Sequence, residues 1–252
     1  MNKLAFASLL LFFLAGCSKS AIVDLNYAQT NLGYRNSGGL APGKIFLWDS
    51  EDNKLVDLHT IASLGSEPLA APASYRASSV RGYSVALGGQ SPGINPAVEA
   101  DISGAVSRNI SYTVEDAIRV NNNKIYTAMK DAYTALGEDG YRLWHVDDLR
   151  SGPRYKLVLL VDPVLASRET LTYDKSAVAN GRFTLKTAAI GKITLTFPNT
   201  GTSSCKAAGS ERAACFINAF VLDAWVKPDK LLGFSPATDF DPSALSSAFR
   251  KL

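Results

Sequence analysis

The chain has 252 residues, 46% of them hydrophobic and 19% charged, with a formal net charge of +3. That is enough apolar material for one large core or two smaller ones. The small positive balance contains no Lys/Arg block, which excludes a nucleic-acid binder that works by charge, and beyond the N-terminus no apolar stretch reaches the length of a transmembrane helix.

The N-terminus carries a processing signal. Lys3 supplies a positive charge, and Leu4 to Leu14 is almost wholly apolar yet too short for a permanent membrane span. The small residues Ala15 and Gly16 then sit directly before Cys17. The run Leu14-Ala15-Gly16-Cys17 resembles the lipobox of bacterial lipoproteins. The resemblance implies that residues 1–16 are a signal peptide, cut before Cys17, and that the Cys17 thiol and the new N-terminus carry acyl chains. Two or three such chains hold a protein stably on a bilayer, where one is marginal. Ser18, where an Asp would retain the protein elsewhere, implies sorting to the outer membrane. The motif covers the first seventeen residues and is silent about the domain behind it.

With Cys17 acylated, Cys205 and Cys215 remain as a pair around a small polar loop. A disulfide there fits an oxidising cell envelope. A metal site is the competing reading, but no His or further Cys lies nearby to complete it. No metal or other cofactor is therefore expected.

Residues 17–43 are polar and rich in Asn, Ser and Gly, and read as a lipidated N-terminus and tether, part of which Ile22-Val23 and Leu25 could dock. Residues 44–252 then read as a single β-rich domain. Lys44 to Trp48 and Lys54 to His59 flank a turn at Glu51-Asp52-Asn53 and predict a hairpin. Ser63 to Ser78 reads as a loop. Tyr83, Val85 and Leu87 alternate like a strand, and Gly88-Gly89, Ser91-Pro92-Gly93 and Asn95-Pro96 read as loop signals.

Val98 to Val120 shows unusually long alternation. Nine of its twelve even positions are apolar, and no odd position holds a large apolar residue. One straight strand of that length would run ~75 Å at ~3.3 Å per residue, so it must bend or break, with Gly104 and Arg108 the natural places. The dyad pattern also admits an oligomeric membrane-inserting β-pore over residues 98–120, although Tyr112 is its one aromatic and Arg108 and Asp116 would face lipid.

Asn121-Asn122-Asn123 offers N-caps for an amphipathic helix whose face is Ile125, Ala128, Met129, Ala132, Tyr133 and Leu136, ended by Gly137. Gly140 to Val146 reads as a strand. Leu157 to Val161 is a continuous apolar run that suits a strand covered on both faces. Leu171-Thr172-Tyr173, Arg182 to Thr187, Lys192 to Phe197 and Phe216 to Val226 read as further strands, with turns at Asn180-Gly181 and Ala189-Ile190-Gly191. Asp241-Pro242-Ser243 starts a short C-terminal helix reaching about Arg250. The fold class is therefore α+β and β-dominated, with mostly antiparallel sheets in a sandwich or curled sheet. One amphipathic helix packs on a face, and a short helix ends the chain.

His145 and Asp147, two apart on the expected strand, would share a face and are the candidates for acid–base or metal chemistry. The chain has one other histidine, His59, and neither a nucleophile elbow nor a Walker or Rossmann loop. The reading is a non-enzymatic outer-membrane lipoprotein whose periplasmic or surface domain binds a protein or envelope component. A homo-oligomeric pore and a cell-envelope hydrolase are the alternatives.

Overall fold

The computed structural model describes residues 19–37, 40–87, 96–173, 182–187, 191–197, 205, 212–227 and 231–252. The lipobox, the loop signals at 88–95, the turn at Asn180-Gly181, residues 188–190 of the second turn and the interior of the 205–215 loop lie outside them. The strands are β1 (Lys19–Asp24), β2 (Gln29–Thr30), β3 (Gly33–Arg35), β4 (Lys44–Asp49), β5 (Lys54–Thr60), β6 (Ser66–Pro68), β7 (Ala73–Ala77) and β8 (Ser84–Leu87). After helix α1 (Pro96–Asn109) come β9 (Ile110–Asn122), α2 (Ile125–Ala135), α3 (Asp139–Leu143) and α4 (Val146–Arg150). The chain closes with β10 (Tyr155–Ala166), β11 (Arg168–Tyr173), β12 (Arg182–Thr187), β13 (Gly191–Thr196), β14 (Ala213–Val226), β15 (Leu232–Pro236) and α5 (Pro242–Phe249).

The strands form a four-stranded sheet in the order β12-β13-β1-β8 and an eleven-stranded sheet whose main path is β11-β9-β10-β14-β3-β2. All pairings among the described residues are antiparallel except β1 with β13. The β-dominated α+β class with curled antiparallel sheets and a short C-terminal helix is what the chain adopts.

β10 shows why its apolar run is unbroken. Leu157, Leu159 and Val161 face a core made with α2, α3 and α4. Val158 and Leu160 face a second core made with Phe46, Trp48 and Phe249 of α5. Leu157, Val158, Leu159 and Leu160 have no exposed surface, and each such side chain is worth roughly 1.5–3 kcal/mol in transfer from water. The hairpin β4–β5 completes this layer. Its turn is gripped by Arg154, whose Nε and Nη2 donate to Asp49 and whose Nη1 donates to Glu51. The Arg154 hydrogen bond, with backbone donors from the turn, holds the Asp49 carboxyl below the usual carboxylate range against a smaller opposing effect of burial. The contribution is present above the ordinary aspartate pKa of about 4 and is lost as pH falls through the lowered folded-state value. Acid titration of urea midpoints should therefore show a decline below about pH 4 that Asp49→Asn flattens.

Four sequence expectations need correction. First, residues 98–109 are helical. Val98, Ile102 and Val106 are spaced by four, which satisfies a period of two and a period of 3.6 alike, and Ala105 completes the buried helical face. Glu99 in the first turn and Arg108 in the last suit the helix dipole. The break falls at Asn109/Ile110, where helix passes directly into strand. Within β9 the alternation of Ile110, Tyr112 and Val114 is reset at Asp116, a bulge with φ of 50°. Arg212 pins it, donating from Nε to the Asp116 carbonyl and from Nη2 to its carboxylate. No continuous amphipathic strand spans 98–120, so the lipid and lumen faces of the pore reading are not formed in this fold.

Second, residues 139–150 form α3 and α4 instead of a strand. Trp144 and Val146 are both fully buried because His145 between them turns the chain with φ of 51°, and the reversal imitates alternation. Third, the expected tether is part of the fold from Lys19 onward. Ala21 and Val23 are fully buried in β1, and Leu25, Leu32, Tyr34 and Leu40 follow them into the cores. The glycine and asparagine content of 26–37 serves tight turns between short strands. Fourth, β6 and β7 lie in the expected 63–78 loop. Most of their side chains are outside the core, Ala77 and Tyr75 excepted, and backbone pairing to β9 holds them.

Helix α2 matches expectation, and Gly137 with φ of 56° ends it. Its cap differs: Lys124 stands at the N-cap with no side-chain bond. Asn122 is used elsewhere, exchanging hydrogen bonds of 2.6 and 2.7 Å with Asp162 at the bulge of β10. Helix α5 is capped as read, with the Asp241 side chain accepting from Ser243 N and Pro242 in the first turn.

Candidate functional site

Of the residues singled out in the sequence, Cys17 lies outside the described residues, and the others fall at two unrelated places. Cys205 and Cys215 are joined in a disulfide, with 3% and 0% exposure. His145 and Asp147 are not joined. His145 Nδ1 lies 3.0 Å from Asp148 Oδ2, one turn along, while Asp147 accepts a 2.6 Å hydrogen bond from the Tyr141 hydroxyl. His145 and Asp148 are each 44% exposed at the side chain. The common strand face that would have aligned His145 with Asp147 is absent, so this pair builds no acid–base or metal site. The hydrolase reading loses its named residues.

The disulfide borders a buried polar cluster that the sequence did not reveal. Arg35 Nε donates to Glu169 Oε1 at 2.6 Å, with side-chain exposures of 7% and 2%. Arg35 Nη1 also donates to Asn26 Oδ1, and the guanidinium lies 5.0 Å from the Tyr112 ring centroid. Burial alone would lower the Arg35 pKa, but Tyr112 and Glu169 together outweigh it and raise it. The Glu169 carboxylate and the two sulfurs lie within 4.8 Å of one another. That trio does not suit a metal: the sulfurs are bonded to each other and the carboxylate is committed to Arg35. Its parts are 134 residues apart in sequence, so no local spacing announces it.

Among the described residues a groove of about 670 Å³ opens beside β8. One wall is the approach to β8, with Arg81 and Tyr83; the other is the start of α1, with Glu99, Ala100 and Ser103; Ser243 of α5 stands at one end. These walls are tied together. Arg81 exchanges backbone hydrogen bonds with Gln29, Ser107 Oγ of α1 donates to the Val80 carbonyl, and Arg250 at the C-cap of α5 donates to the Gly82 carbonyl at 2.8 Å. Gly82 has φ of 65°, and a Cβ there would stand 2.5 Å from Ser246 Oγ, so only glycine lets α5 approach. Burial is the main cause raising the pKa of Tyr83; Ser103 opposes it and Glu99 adds to it. Among the described residues the buried hydroxyl has no aligned hydrogen-bond partner. Among the described residues β8 pairs with β1 alone, so it is a sheet edge. The signal that could have located the groove is the weak strand at 84–87 followed by a Pro-initiated segment.

No protein-family model matches the chain, and no curated protein does. Among solved structures, a bacterial gasdermin from Bradyrhizobium tropiciagri aligns over 84% of this chain and 87% of its own, with 11% identity and a TM-score of 0.32. Similarity at that level carries no argument about fold or function.

Proposed function

We propose that the chain is an outer-membrane lipoprotein, anchored through acylated Cys17, whose non-enzymatic domain binds a protein of the cell envelope. The observation that carries the binding role is the groove between the β8 edge and α1. An exposed strand edge offers backbone donors and acceptors to an extended segment, and the opposite wall supplies side chains that select it. Glu99 and Ser103 give that wall carboxylate and hydroxyl chemistry, while Tyr83 and Arg81 on the β8 side add a phenol and a cation. The disulfide supports an oxidising compartment, where such bonds persist.

The test is to extract the acylated chain in mild detergent and size it. A heteromeric complex is expected. Ala100→Trp, at an exposed helical position on the groove wall, should weaken that complex at least ~10-fold while leaving the thermal midpoint near that of the parent. A monomeric parent, a homo-oligomer alone, or a complex untouched by Ala100→Trp would each sink the reading.

A further inference from the structure

The strand that begins the fold starts two residues after Cys17. Two residues span at most about 7 Å. Acyl chains on Cys17 would therefore hold the Lys19 end of β1 almost against the lipid headgroups, with no length of chain to lift it away. Which part of the domain meets the bilayer is then set by what surrounds that end of the sheet.

Register supplies the answer. Lys19 is level with Ile193 on the parallel neighbour β13, and Lys192 is paired across β13–β12 with Lys186. At about 4.8 Å between strands, both lysines stand within ~10 Å of the point where the chain enters the fold. The alternation of these strands is clean. Ile193 and Leu195 are fully buried, and Phe183 and Leu185 pack against the same core. The outer face is left with Arg182, Lys186, Lys192, several threonines, Ser20 and Ile22, the last 46% exposed, with the one acidic residue of β1, Asp24, at the strand end farthest from the anchor. Neither β12 nor β13 contains an acidic residue. None of the ion pairs among the described residues involves Arg182, Lys186 or Lys192.

The Lys186–Lys192 pair is the telling detail. Like charges directly opposite on one sheet face destabilise the sheet. An arrangement that weakens the fold at a surface position is where a functional demand is expected to prevail. An anionic surface against this face would turn the repulsion into attraction, and would also receive Ile22 at the headgroup boundary.

We propose that the outer face of the β12-β13-β1-β8 sheet is a docking surface for an anionic phospholipid bilayer, on which the domain lies flat beside its lipid anchor. The proposal rests on the lipoprotein reading of Cys17. Charge attraction at such a surface acts over about a Debye length, ~8 Å at physiological salt, which the anchor-proximal lysines satisfy. The groove beside β8 then opens at the margin of the membrane-facing sheet.

The experiment uses the full acylated chain with an environment-sensitive fluorophore on Thr184→Cys, an exposed position between Arg182 and Lys186. With Cys17 acylated and Cys205 bonded to Cys215, the new thiol is the one that labels. On vesicles of phosphatidylethanolamine with phosphatidylglycerol the label should move to a less polar environment and be quenched by spin-labelled lipid. On pure phosphatidylcholine, or in ~1 M salt where the Debye length is ~3 Å, it should stay in water. Lys186→Gln with Lys192→Gln should lower the docked fraction's equilibrium about fivefold per charge, ~25-fold together. The thermal midpoint should hold or rise, because a repulsion is removed, and the Arg/Arg variant should dock like the parent. A label left in water on phosphatidylglycerol, or a Gln/Gln variant that docks as well as the parent, overturns the proposal. So does burial of the label only in native membranes, which would assign the face to a protein. Mass spectrometry of Cys17 separates the two layers. An acylated chain with its label in water refutes the face and keeps the anchor. An unmodified Cys17 with the label still buried refutes the anchor and keeps the face.

Discussion

Glu169→Ala is expected to cost about 3–5 kcal/mol of folding stability, measured by urea denaturation at neutral pH. The magnitude follows from what is left behind. Arg35 cannot discard its proton, its side chain is 7% exposed, and the carboxylate that stays nearby, Asp24, acts on it more weakly than Glu169 does. A buried guanidinium that has lost its closest carboxylate is the expensive outcome, much more so than losing the attraction itself. The paired replacement Arg35→Met with Glu169→Leu should therefore recover most of the loss, since both charges leave the interior together. A domain of this kind has roughly 5–15 kcal/mol in total, so the single variant should be marginally folded or unfolded at growth temperature. A loss below ~1 kcal/mol would show that water reaches the pair and that its burial has been misjudged.

Cys205→Ala with Cys215→Ala should cost about 2–4 kcal/mol, most of it by freeing the unfolded chain. The bridge closes a sequence separation of 10 and anchors Cys205 onto β14. Adding dithiothreitol to the parent should bring its urea midpoint down to that of the double variant, and the double variant should ignore the reductant. Equal midpoints with and without the bridge would mean that packing alone holds residue 205 in place. Because the Glu169 carboxylate lies within 4.8 Å of the same sulfurs, the disulfide and Glu169 losses should be non-additive when combined, a coupling that distant sites would not show.

What the sequence reveals and conceals follows from how each element is held. β10 was legible because burial on both faces leaves no polar residue to interrupt Leu157 to Val161. The 44–60 hairpin and α5 were legible because turn and capping chemistry sits beside the apolar pattern, and α2 by its apolar spacing and the terminating Gly137. The disulfide was legible by elimination once Cys17 was set aside. α1 was misread because a spacing of four at Val98, Ile102 and Val106 belongs to both periodicities, and the polar residues between them settle nothing. Trp144 and Val146 misled in the opposite direction, through a left-handed turn at His145 that no propensity scale registers. β6 and β7 were invisible because backbone pairing to β9 is indifferent to side chains. The Arg35–Glu169 pair and the groove beside β8 could not have been found locally. Each joins parts of the chain that only the completed topology brings together.

That topology also sets an order of events for a chain delivered N-terminus first. β1 is the earliest strand to emerge, and β8 offers it one partner after residue 87. Its other edge has to wait for residues 193–196 of β13. Until then Ala21-Ile22-Val23 presents an open row of backbone donors and acceptors, the template on which strands of separate chains pair wrongly. Sequence-distant closure of this kind is also slow. The nascent protein thus carries an open strand edge near the end that leaves first, and its folding yield should depend on a holding chaperone more than on the stability of the finished fold.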